Sequence, residues 1–86
     1  MDKEIIYRQL VNRLFKLLCW KDEGKNWEKL YDEFLQDITL NTFLDDDMRG
    51  YLALRIVSLK YVNYKIFRDT IFEVINYVES LSSVQK

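Results

Sequence analysis

Four stretches of this chain place their apolar residues at helical spacing. In the first, Tyr7, Leu10, Val11, Leu14, Leu17 and Leu18 recur at steps of three and four, which is one stripe of an amphipathic helix. The stretch runs from about Asp2 to Lys21. Asp2 and Glu4 suit the positive end of its dipole, and Gly24 is placed to stop it. In the second, Trp27, Leu30, Tyr31, Phe34, Leu35 and Ile38 make a face without exception over 27–39, and Asn26 is a suitable N-cap. TLNTFLDDD is a connection, with Phe43 and Leu44 expected to pack back as a plug.

The remainder supports two helices, 46–62 and 64–81, and a single helix through both is the alternative. Asn63 favours caps and left-handed turns over helix interiors. The phase of the pattern also changes there. At about 100° per residue, Met48, Leu52, Ile56 and Leu59 share one face. Carried onward, that face predicts Ile66, Thr70 and Tyr77 inside, whereas Tyr64, Phe67, Ile71, Val74, Ile75, Val78 and Leu81 make the better stripe. A turn at 62–64 accounts for the mismatch. LRIVSLKY partly alternates and is rich in β-branched residues, as a strand would be. With no second strand to pair with, its backbone groups would stay unpaired, so the helix is kept.

The third helix is apolar on two sides. Leu54, Val57 and Tyr61 lie nearly opposite Met48, Leu52, Ile56 and Leu59. A helix of this kind is either central in the fold or covered by a partner. If it is not central, Leu54, Val57 and Tyr61, continued by Tyr64 and bordered by Arg55 and Lys65, form a partner-binding surface, as interfaces often look.

Composition adds little to the fold and more to the function. With 86 residues, 49% hydrophobic and 31% charged, the chain is one globular domain, 1–86, with a thin core. No apolar run approaches the ~20 residues of a membrane span. No signal peptide is visible, and the single cysteine, Cys19, mildly favours a reducing compartment, so a cytoplasmic setting is expected. The net charge of −1 is unevenly spread. Residues 1–47 carry seven basic and eleven acidic residues, 48–68 carry five basic and none acidic, and 69–86 carry one basic and three acidic. That asymmetry raises a nucleic-acid reading through Arg49, Arg55, Lys60, Lys65 and Arg68. On helices, however, Arg49 and Lys60 fall near one azimuth, Arg55 points well away, and Lys65 and Arg68 belong to the next helix. The five make no single stripe.

Catalytic chemistry is poorly provided for. There is no histidine, which removes the commonest general base and metal ligand, and one cysteine cannot build a tetrahedral zinc site. Cys19 falls at the end of its helix, where the dipole disfavours a thiolate, and reads as a small apolar residue at a packed helix end. Asp45, Asp46 and Asp47 resemble the start of a calcium loop, but Arg49 and Ile56 stand where that loop needs ligands. The run reads instead as a cap followed by acids at a helix start. Trp20 and Trp27 are expected to close one end of the bundle, with a partner anchor as the alternative.

The expected fold is all-α, a small antiparallel bundle of four helices. The expected function is a non-enzymatic protein-interaction module, of the regulator, inhibitor or immunity-protein kind. It would bind another protein or itself through the second face of the third helix, without cofactor or metal. A nucleic-acid-binding module is the runner-up.

Overall fold

The computed structural model describes residues 3–40 and 44–84, and no strand occurs among them. Four helices follow in order: α1 (Lys3–Glu23), α2 (Trp27–Leu40), α3 (Asp46–Ile56) and α4 (Tyr64–Val84), with a single 3₁₀ turn, Leu59–Tyr61, between the last two. α1 packs on both α4 and α2, α2 on α3, and α3 on α4, which closes a ring of four around one core. The cross-helix pairs run antiparallel. Arg13 meets Asp37 while Lys21 meets Trp27, and Tyr51 meets Tyr77 while Arg55 meets Glu73. This is the small helical bundle expected from the pattern.

Most of each stripe became the core, though Tyr64, expected on the α4 stripe, is exposed at the start of its helix. Ile6, Tyr7, Leu10, Leu14, Leu17 and Leu18 of α1 are buried, as are Tyr31, Phe34 and Ile38 of α2. Met48, Leu52 and Ile56 of α3 join them with Leu59, and α4 supplies Phe67, Ile71, Val74, Ile75 and Val78. Each such aliphatic or aromatic side chain contributes roughly 1.5–3 kcal/mol by leaving water. Leu44 is buried as the expected plug, while Phe43 lies outside the described residues.

The helix ends follow from local chemistry. Gly24 takes φ 74°, and the amides of Gly24 and Lys25 donate to the carbonyls of Lys21 and Trp20 at 3.2 and 2.9 Å. These two bonds form a Schellman motif, which satisfies carbonyls that the end of α1 would leave orphaned. Asp45 caps α3, its carboxylate accepting from the Met48 amide at 2.8 Å, and Asp46 and Asp47 occupy the first turn. Asn63 caps α4, its side-chain oxygen accepting from the Ile66 amide at 2.9 Å. The break inferred at Asn63 is therefore present, and a continuous 46–81 helix is excluded.

The third helix ends earlier than its predicted limit at residue 62. α3 stops at Ile56, and its cause is remote in sequence. The Tyr31 hydroxyl, on α2, reaches the carbonyls of Ile56 at 2.8 Å and Val57 at 2.7 Å. In a continuing helix those carbonyls would accept from the amides of residues 60 and 61. Instead the Lys60 amide faces the Tyr31 hydroxyl, and the Tyr61 amide turns to Ser58 at 3.1 Å. A buried side chain thus replaces one turn of helix ladder, and the chain tightens into the 3₁₀ turn before extending at Val62.

Candidate partner-binding surface

α3 sends Met48, Leu52 and Ile56 inward, so its other side is free to face solvent. Leu54 is 73% exposed, Val57 57% and Tyr61 85%. Val57 keeps helical dihedrals (φ −58°, ψ −32°) and still donates its amide to Ala53. Leu54 and Val57 therefore remain neighbours three residues apart on one helical face. Tyr61 follows them on the 3₁₀ turn, held by the corner that Tyr31 pins. The neighbouring helices cover one apolar face of this segment and leave the second uncovered.

The other residues singled out from the sequence divide between this surface and its edges. Arg55 leans toward α4, with its guanidinium 3.0 Å from Glu73 and 5.4 Å from the Tyr51 ring. Tyr51 in turn stacks on Tyr77 with centroids 3.9 Å apart. Burial, and after it the Glu73 charge, pushes the Tyr51 hydroxyl pKa above the ordinary value. Lys65 bonds Asp69 at 3.1 Å, and Arg68 lies 3.6 Å from the same carboxylate. The Lys65 hydrogen bond holds the Asp69 carboxyl below the usual range. Tyr64 is partly exposed but turns toward the C-terminal end of α1, beside Asp22 and Cys19. Only Leu54, Val57 and Tyr61 make the exposed apolar row. Arg55 and Lys65, expected to border it, are each paired with a carboxylate of α4.

The five basic residues do not share one surface element. Arg49 sits at the start of α3 on Asp46 and the Leu44 carbonyl, Arg55 at its end, and Lys65 and Arg68 share Asp69 on α4. Lys60 alone of the five meets no carboxylate among the described residues.

At the other sites the outcome is mixed. Trp27 closes an end of the bundle, edge-on to Tyr31 and to Phe67 at 6.0 and 5.4 Å, with the Lys21 ammonium 4.1 Å from its ring. Trp20 is only half-buried and lies between Lys16 and Lys25. Cys19 is exposed, contrary to its expected packing. It lies one step around α1 from buried Leu18, on the side of exposed Phe15. No group of residues suited to a metal ion occurs among the described residues, and no helix is long and apolar enough to cross a membrane.

Two features had no signal in the stripes. Phe15 and Phe72 pair edge-on across α1 and α4 at 6.2 Å, each partly exposed, and both lie off their helix's main apolar line. A shallow groove of about 180 Å³ between α1 and α2 is lined by Arg13, Lys16, Leu17, Leu30, Glu33 and Phe34. Arg13 stands 5.0 Å over the Phe34 ring and pairs with Asp37, and Lys16 lies 5.2 Å from the Trp20 ring, so both cations of the groove are already engaged. An off-stripe aromatic on each of two antiparallel helices is the one pattern that could have pointed to the Phe15–Phe72 seam.

No protein-family model matches the sequence, and neither the curated proteins nor the solved structures searched for similarity contain a match to it.

Proposed function

We propose that this protein is a non-enzymatic interaction module whose binding surface is the outer side of α3 and the turn after it. One observation carries the reading: Leu54, Val57 and Tyr61 stand together in solvent while the opposite face of the same segment is buried. Isolated exposed apolar residues are ordinary, but three large ones on one short segment, two at the end of α3 and one on the turn after it, are the pattern of an anchor set. Its support is mechanical as well. Tyr31 fixes the corner that displays Val57 and Tyr61, so the row is held in place before any partner arrives, which lowers the cost of binding. The absence of histidine, and a lone cysteine at a helix C-terminus, favour binding over catalysis.

A random peptide library panned on the wild-type protein and on the Leu54→Asp/Tyr61→Glu double variant tests the reading. Circular dichroism and thermal melting check that the variant stays folded. Binders enriched on the wild type and lost on the variant are expected. Enrichment that ignores the substitutions would move the binding surface elsewhere.

A further inference from the structure

We infer that the corner at residues 57–63 is a hinge, and that the chain has a second folded form. In that form 46–84 is one continuous helix, and α4 packs on α1 of a second copy in a swapped dimer. The inference is independent of the partner-binding reading, since the chain itself is the only partner it needs.

The backbone is already most of the way to a straight helix. Val57 and Ser58 have right-handed helical dihedrals and Leu59–Tyr61 make a 3₁₀ turn, so the chain first leaves helical conformation at Val62 (φ −102°, ψ 163°). Asn63 then caps α4. The hinge contains neither glycine nor proline, so no residue in it breaks a helix outright. Leu59 follows the buried Ile56 by three residues and keeps the inner face in either form.

The two forms compete for the same carbonyls. In the bent form those of Ile56 and Val57 accept from the Tyr31 hydroxyl at 2.8 and 2.7 Å. In the straight form they accept from the amides of Lys60 and Tyr61, as a helix ladder requires. The bend is thus held by one side chain of α2 and by the Asn63 cap, and it gives up about one turn of ladder. Differences of that size are enough to separate two packings of one sequence.

Straightening forces the swap. A helix over 46–84 would be about 58 Å long, against 36 Å for the longest extent of the bundle, so α4 could not fold back on its own α1. Phe67, Ile71, Val74, Ile75 and Val78, all buried in the bent form, would then enter water. The surface shaped to cover them is the one that α4 vacates, and a second copy presents it. There α4 regains its packing on α1, and the Arg55–Glu73 and Tyr51–Tyr77 pairs re-form between chains. Contacts outside the hinge are kept, which is why such swaps cost little.

The test takes each protein through urea at high and at low protein concentration and measures the mass of the product by light scattering after size exclusion. The wild type should give a dimer only after refolding at high concentration. That dimer should persist on dilution, because undoing it requires unfolding, and its Lys60 and Tyr61 amides should exchange more slowly than those of the monomer. Tyr31→Phe removes a bond that only the bent form makes, in both chains at once, and should raise the dimer-to-monomer ratio about tenfold. Tyr64→Pro should abolish the dimer. Proline suits the first position of α4, whereas in a straight helix it would lack the amide owed to Lys60 and clash with that carbonyl. Should that variant not fold, the comparison of wild type with Tyr31→Phe decides alone. Monomer at every concentration, or a ratio that Tyr31→Phe leaves unchanged, would overturn the inference. So would a dimer that survives Tyr64→Pro, or one that dissociates at once on dilution, as a contact between exposed surfaces would.

Discussion

α2 and α3 are the two short helices of the bundle, and they use their apolar residues in opposite ways. α2 has one apolar face, from Trp27 to Ile38, and the core takes all of it in whole or in part. α3 with its following turn has two, and the core takes Met48, Leu52, Ile56 and Leu59 while Leu54, Val57 and Tyr61 stay in water. The contrast comes from position. α3 packs chiefly on α2 and α4, which cover Met48, Leu52 and Ile56. A helix at the corner of a four-membered ring has neighbours on only part of its circumference, so a second apolar face has nothing within the chain to cover it.

The sharpest way to break this comparison is to truncate one residue from each face of α3. Leu52→Ala should cost about 2–5 kcal/mol, because it empties a fully buried site. Leu54→Ala should stay within about 0.5 kcal/mol, as exposed substitutions do. Urea unfolding measures both, and a similar loss at the two positions would show that the second face is covered after all.

Tyr31→Phe tests the link between the two helices. The substitution keeps the packing and removes the hydroxyl from the Ile56 and Val57 carbonyls, at an expected cost of about 1–3 kcal/mol. Amide exchange should quicken at Leu59–Tyr61 before it does so in α1. The same hydroxyl gives a pH signature. Burial raises its pKa above the ordinary 10.0, with the Lys60 amide acting the other way. The folded state therefore holds this proton more tightly than the unfolded chain. The stabilisation is complete below pH 10.0 and is lost as pH rises through the folded value. In Tyr31→Phe the decline in stability at high pH should be shallower, leaving the share carried by Tyr51, whose hydroxyl pKa is also raised by burial. An unchanged alkaline profile would remove Tyr31 from that role.

Smaller effects belong to the helix ends. Asn63→Ala removes the oxygen that accepts from Ile66 and should cost about 1 kcal/mol, loosening the start of α4 and the display of Tyr61. Gly24→Ala has open space for its methyl group but keeps the positive φ, so a loss of about 1 kcal/mol should follow from backbone strain alone. Thermal melts of both variants give the values.

Much of this architecture could be read along the chain. The stripes of α1, α2 and α4 are periodic over many residues, and each maps onto buried positions because a helix under about 100° per residue leaves one face to bury. Gly24, Asp45 and Asn63 mark ends through interactions within a few residues, which sequence displays directly. The end of α3 was different. The β-branched residues of LRIVSLKY weaken the helix locally but do not place its stop at Ile56, where the Tyr31 hydroxyl, twenty-five residues away, takes up the freed carbonyl. Cys19 is exposed for a related reason: one step around the helix from buried Leu18 separates core from solvent, and the packing of the helices decides which side each falls on.

The candidate surface shows the same division. Sequence alone determined that the segment after Asp46 carries two apolar faces, that its cations do not align into a stripe, and that the residue types for imidazole or zinc chemistry are missing. Tertiary structure alone decided which face is covered, which carboxylates neutralise Arg55, Lys65 and Arg68, and that Lys60 meets none among the described residues. Periodicity is a property of one helix and is written in its residues. Burial and charge pairing are properties of what packs against it, and they exist only once the four helices meet.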